Sequence, residues 1–197
     1  MSEGAERRID YLLRAVDVAA AVKAEAVSFW SGVRPVGTAN DVVWDRLVSG
    51  SARVLEAAAR RGVRLGFEPE PGMMIDTIER YEMLRARLGS PAELGLTLDV
   101  GHCRCVEDAS AADCVRRAGS ALVNVQIDDM RRGVHEHLEF GAGEIEFPPV
   151  LEALGECGYR GLISVELPRH GHEAPEVARR SLSFLQAAAA APLAVPR

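Results

Sequence analysis

The sequence predicts an α/β fold built on at least five parallel strands. Three observations predict it. Five apolar runs read as strands: Ala26–Trp30, Leu65–Glu68, Gly95–Asp99, Leu122–Asp128 and Leu162–Glu166. Their ends, at Trp30, Glu68, Asp99, Asp128 and Glu166, are spaced by 38, 31, 29 and 38 residues, the length of a strand plus its return helix. The run Leu94-Gly95-Leu96-Thr97-Leu98 is almost continuously apolar, as a parallel strand covered on both faces requires.

Helices fill the gaps. Arg7–Val22 places Ile9, Leu12, Leu13, Val16 and Ala20 at helical spacing. Asp41–Arg61 follows with Val42, Val43, Leu47, Val54 and Leu55, capped by Asn40 or Asp41, and its Ser49-Gly50-Ser51 stretch is a weak point. Met74–Leu88 is the third helix, stopped by Gly89. Glu107–Ala118 is the fourth, Pro148–Cys157 the fifth with proline in its first turn, and Pro175–Ala190 the last. Residues 1–190 are expected to form a single domain, and residues 191–197 a disordered tail.

The chemistry gathers at the strand ends. Four of them carry Glu68, Asp99, Gln126 with Asp128, and Glu166, and all five histidines, His102, His135, His137, His170 and His172, follow such ends. Parallel strands present their C-terminal ends on one face, so these oxygen and imidazole groups are expected to meet as a metal site.

Composition sets bounds. The 197-residue chain is 48% hydrophobic, enough for a sizeable core. A net charge of −6 argues against a binder of nucleic-acid backbone, which needs a basic surface. No run reaches the roughly 20 apolar residues of a membrane span, and the N-terminus lacks a signal-peptide pattern. The expected location is cytoplasmic. Cys103, Cys105, Cys114 and Cys157 are then thiols; Cys103-Arg-Cys105 reads as packing or loop cysteines more than as metal ligands.

Four segments occur in an order that resembles a known family. They are Gly66-Phe67-Glu68-Pro69-Glu70-Pro71-Gly72, Leu98-Asp99-Val100-Gly101-His102, His135-Glu136-His137-Leu138 with Gly141-Ala142-Gly143-Glu144-Ile145, and Ser164-Val165-Glu166. Together, over about Ile9 to Leu185, they resemble the xylose-isomerase-like TIM-barrel superfamily, which includes sugar-phosphate isomerases and epimerases and the endonuclease IV-like nucleases. The resemblance implies a (β/α) barrel-type fold. That barrel has eight strands and about 250 residues or more, so five strands imply an incomplete barrel. The first three βα units, about 90–100 residues at this spacing, are the part expected to be absent, and a truncated reading frame is the favoured account. A partner closing the open arc is the other, and it leaves room for a homo-oligomer.

The resemblance also implies a divalent metal held by Glu68, Asp99, Gln126 and Glu166, with Glu68 and Glu166 doubling as the acid–base pair. The family pattern V-H-x-x-D appears here as Val125-Gln126-Ile127-Asp128-Asp129. A carboxamide oxygen in place of imidazole favours Mn²⁺ or Mg²⁺, with Co²⁺ or Zn²⁺ as alternatives, and leaves His137 or His135 as the other source of an imidazole. His102 and His137 are candidates for binding substrate hydroxyls, and Arg132 for a phosphate or carboxylate. The implied reaction is isomerisation or epimerisation of a sugar or sugar phosphate, by proton transfer next to a carbonyl through a metal-stabilised enediolate. Alternatives are an inactive partial-barrel remnant or assembly protein, a polyol dehydratase using much the same site, and an abasic-site endonuclease. The nuclease branch carries an aspartate where this chain has His135, and the acidic charge disfavours DNA.

Overall fold

The computed structural model describes residues 3–191, so the tail expected over 191–197 lies outside the described residues from position 192 on. The elements are α1 (Glu3–Val22), β1 (Ala26–Phe29), α2 (Asn40–Arg61), β2 (Arg64–Phe67), α3 (Ile78–Arg87), β3 (Leu94–Asp99), α4 (Val100–Val106), α5 (Ala111–Ala118), β4 (Leu122–Ile127), β5 (Asp129–Arg131), β6 (Val134–Leu138), α6 (Phe147–Glu156), β7 (Ile163–Val165) and α7 (Ala174–Ala190). Five strands form one sheet in the order β1-β2-β3-β4-β7, and β5 pairs with β6 in a separate hairpin. Within that sheet β1 pairs with β2, β2 with β3, and β4 with β7, all parallel. The α/β class and the five parallel strands match the expectation. The chain divides into two compact units between Thr97 and Leu98. Among the described residues no helix is long and apolar enough to cross a membrane.

In the first unit, α1 buries Ile9, Leu12, Val16 and Ala19. The expected weak point in α2 is instead a packing site. The helix runs unbroken through Gly50, and a Cβ there would lie 3.3 Å from the Ile9 side chain. Glycine in a helix interior costs about 1 kcal/mol against alanine; here its bare backbone lets α1 approach. Gly62, at φ 66°, ends α2 with its N–H on the Ala58 and Ala59 carbonyls. Phe67 of β2 lies edge-on to Phe29, centroids 5.0 Å apart, and stacks on Tyr81 of α3 at 6.2 Å. The helix expected to start at Met74 starts at Ile78. The preceding residues are held in a turn by Glu70 N–H on the Ile75 carbonyl (3.1 Å) and Ile75 N–H on Ser31 Oγ (3.0 Å). Thr77 then caps the helix by accepting from Arg80 N–H.

All six residues of β3 are buried, as its apolar run predicts. The second unit departs from expectation in three places. The helix expected over Glu107–Ala118 starts instead at Ala111, where the Ser110 hydroxyl caps α5 by accepting from Asp113 N–H at 3.1 Å, and α4 precedes it unforeseen. The β5–β6 hairpin was not foreseen; it turns at Gly133, φ 71°. And β7, expected as a buried strand, exposes all three residues. It is last in the strand order with β4 as its one neighbour, so one edge and much of both faces meet solvent. The core of this unit includes Phe147 of α6, which lies edge-on to Phe140 (5.0 Å) and to Phe184 of α7 (5.4 Å).

Candidate metal centre

Strand β3 delivers Asp99 to a boundary between sheet and helix. It is 2% exposed. Its Oδ1 accepts the N–H of His102 at 2.9 Å and so caps α4. Its Oδ2 is buried with no hydrogen-bond partner among the described residues. The nearest cationic group is His102 Nε2 at 3.9 Å, beyond hydrogen-bond reach; a buried carboxylate oxygen so placed is costly, and a cation is the natural complement. An oxygen of Glu166 lies within 4.8 Å of an oxygen of Asp99. Glu166 follows β7, and its N–H is held by the Ile127 carbonyl at 3.2 Å. Burial, and then the charge of Asp99, push its carboxyl above the ordinary glutamate value. Gln126, on β4, donates from Nε2 to Glu166 Oε2. Its Oε1 is buried with no partner among the described residues. The neighbouring carboxylates of Asp99 and Glu166 therefore fit a hard divalent ion, with the Gln126 carboxamide beside Glu166.

Beside them the structure brings imidazoles together. His102 is buried, and its Nε2 lies 3.1 Å from His135 Nε2. His135 and His137 lie two apart on β6 and so share a face. Asp128, fully buried past the end of β4, puts Oδ2 2.5 Å from His137 Nδ1. The contact is close but off the hydrogen-bond axis, so Asp128 and His137 meet as an ion pair. His135 is held below the ordinary imidazole value by burial and by neighbouring His102.

Asp129, the aspartate of the V-H-x-x-D pattern, has a different task. Its Oδ1 accepts from Met130 N–H (2.9 Å) and Ile145 N–H (3.1 Å), and its Oδ2 from Gly141 N–H (2.9 Å) and Gly143 N–H (2.8 Å). It clamps the loop that follows β6. A Cβ on Gly143 would run into the Asp129 carboxylate and the Met130 amide, which explains the Gly-x-Gly spacing that the sequence shows only as a turn. Arg132, expected to hold an anion, points its guanidinium at the Glu107 carbonyl and lies 2.5 Å from Asp108. His170 lies 3.6 Å from Glu139. Cys103, Cys105 and Cys114 are buried thiols.

Glu68 belongs to the first unit. It is 5% exposed, directly follows β2, and its N–H donates to the Phe29 carbonyl at 2.9 Å. Trp30, the last residue of the first expected strand, is 42% exposed with the Arg8 guanidinium 5.7 Å above its ring.

Parallel strands ending in buried carboxylates, followed by clustered imidazoles, define a barrel-type α/β protein with a strand-end site. Residues 2–188 match the model of the xylose isomerase-like TIM barrel family, and the chain belongs to that family. An inosose dehydratase of Lactiplantibacillus plantarum is 28% identical over 191 residues, covering 84% of this chain and 62% of that protein. Among solved structures, a D-tagatose 3-epimerase-like protein superposes with a TM-score of 0.74 at 25% identity, over 92% of this chain and 71% of that one. The IOLI protein with a bound zinc atom gives 0.78 at 19% identity, over 96% and 73%, a likeness of fold. The chain spans 45% to 62% of the length of the first curated relatives it matches.

Proposed function

We propose that this chain carries the site of a divalent-metal-dependent isomerase or epimerase acting on a sugar or sugar phosphate. The observation that carries the proposal is Asp99 Oδ2: buried, without a hydrogen-bond partner among the described residues, 3.9 Å from His102 Nε2, and beside a second carboxylate, that of Glu166. A divalent cation held by Asp99, Gln126 and Glu166 would polarise a substrate carbonyl and acidify the neighbouring C–H. The neutral Gln126 oxygen favours Mn²⁺ or Mg²⁺. Glu166, whose raised pKa brings its proton exchange nearer neutrality, takes or returns the proton. Glu68, buried at the end of β2, is assigned the partner role. His102 and His137 are assigned to substrate hydroxyls. Arg132 would hold a phosphate by exchanging it for Asp108. The four thiols suit a cytosolic setting.

A dehydratase reading is favoured by the inosose dehydratase relative. It shares the first step, removal of a proton next to a carbonyl, and differs in what leaves afterwards.

The test is incubation of the chain with Mn²⁺ and a panel of ketoses and inososes in D₂O, read by NMR and mass spectrometry. Deuterium is expected at the carbon beside the carbonyl, and the double variant Glu68→Gln, Glu166→Gln should slow its entry by about 10²–10⁴-fold. Incorporation unchanged in that variant would overturn the mechanism. Loss of one water from an inosose would assign the dehydratase instead.

A further inference from the structure

The first unit holds a cavity that the proposed reaction does not use. Its volume is about 660 Å³, and its walls are α2, α3 and the loops leading into them. Small-ligand sites commonly fall between about 300 and 1,000 Å³. Glu68 is not among the lining residues. Three of the chain's five methionines, Met73, Met74 and Met83, are. Methionine suits surfaces that receive apolar ligands, because its side chain is flexible and polarizable. Trp44 lines the cavity as well, with the Arg87 guanidinium 4.4 Å from its ring centre. Val33 and Met83 are exposed at its rim, so the cavity is open to solvent.

A gap lined by flexible side chains could be a mere fault in packing, but these walls are tied. Met74 N–H donates to the Gly32 carbonyl and Ile75 N–H to Ser31 Oγ, each at 3.0 Å, so the loop after β1 is fixed to the turn after β2. Arg80 braces that turn by donating to the Met74 carbonyl (3.3 Å) and to Asp76 (2.9 Å). The charge is of one sign. Arg34 and Arg80 line the cavity with Asn40, and among the described residues no carboxylate does. Arg80 is committed to the wall. Arg34 is exposed and has no hydrogen bond or ion pair among the described residues. Asn40 opens α2, a 22-residue helix preceded by Ala39, which has no side chain to cap it. The positive end of that helix therefore faces the same region. Asp41, in the same turn, accepts from Val42 N–H at 2.9 Å.

We propose that this cavity binds a small organic acid, its apolar body against Met73, Met74, Met83 and Trp44 and its one anionic group, carboxylate or phosphate, on the Arg34 guanidinium. The planar guanidinium fork matches both anions. A neutral apolar molecule would leave Arg34 without its partner, and an inorganic anion would leave the methionine wall unused.

NMR of the full chain carrying isotope-labelled methionine methyl groups tests this. No metal is added, so the outcome does not depend on the reaction proposed above. The probes are naphthoate, naphthyl phosphate and, as the neutral analogue, naphthalenemethanol. An acid is expected to move the methyl signals of Met73, Met74 and Met83 saturably and to leave Met130, fully buried in the second unit, in place. The tighter of the two acids assigns the anion. Arg34→Gln should weaken the acid by about 3–10-fold, the range for a charged hydrogen bond at a solvent-exposed site, and should leave the alcohol unaffected. Met83→Glu should weaken the acid further by placing a like charge at the rim. Arg34 and Met83 are both exposed, so these variants test the site without disturbing the core. Four results would overturn the proposal: no saturable shift with either acid, equal affinity for acid and alcohol, shifts that extend to Met130, or full affinity for the acid in Arg34→Gln.

Discussion

Asp128 Oδ2 lies 2.5 Å from His137 Nδ1 across the β4–β6 connection, with Asp128 wholly removed from solvent. Burial drives the Asp128 carboxyl up to about 7, and the contact with Asp128 drives the His137 imidazole up to about 9. The two shifts have one physical content. Between those two values the pair holds one proton, on His137, facing the ionised Asp128 carboxylate.

Replacing Asp128 by asparagine should bring His137 down toward the ordinary imidazole value of 6.5, since its largest upward cause is lost and burial, which lowers it, is then opposed only by the charges of Asp99 and Glu166. The sign for stability follows. Both folded values lie above the unfolded ones of 3.8 and 6.5, so the native state holds more protons than the unfolded state between about pH 4 and 9. The stabilisation from the pair is therefore full at low pH and is lost as pH rises through about 7 and then about 9. NMR titration of the imidazole protons checks this in metal-free protein. A His137 midpoint unmoved by Asp128→Asn would contradict it.

The sequence made the strands legible because buried parallel strands are apolar runs of fixed spacing, and β3 is the clearest case. It also marked Asp99, His102 and Glu166, because a polar residue closing an apolar run stands out. It did not show the β5–β6 hairpin. Asp129-Met130-Arg131 and Val134–Leu138 have no apolar alternation, and what orders them is Asp129 accepting four backbone N–H groups. Nor did it show α4, seven residues that Asp99 starts by accepting the His102 N–H, or that Ser110 delays α5 to Ala111. The exposure of β7 depends on its place in the strand order, which no local window contains.

The Asp129 clamp should be among the costlier sites to alter in the second unit. Asp129→Ala strands four N–H groups, and with charged hydrogen bonds worth about 1.5–3 kcal/mol each, a loss of about 3 kcal/mol or more is expected. Asp129→Asn keeps one acceptor oxygen and should lose less. Gly143→Ala drives a Cβ against the same carboxylate and against the Met130 backbone, which cannot rotate away; about 1–3 kcal/mol is expected. Urea unfolding followed by circular dichroism measures all three. An Asp129→Ala variant as stable as the parent chain would show that water replaces the clamp at no cost.

Tyr81 tests the first unit independently of any metal. It is 2% exposed, stacked on Phe67, with its hydroxyl 3.5 Å from the Leu94 carbonyl oxygen. Burial raises its pKa from 10.0 to about 12, against a smaller downward pull from Arg85. Between those values the folded protein keeps the phenol proton that the unfolded chain gives up. Stability from this group is thus fully present below pH 10.0 and declines as pH rises toward about 12. Ultraviolet titration of the folded chain should show a late phenolate step that is absent in Tyr81→Phe. The variant should also lose less stability than the parent over the same window, because it has no proton to surrender. It retains the ring and its contact with Phe67, so a loss of packing would not mimic the result. A late step that persists in Tyr81→Phe would assign it to another tyrosine and remove the burial argument for this one.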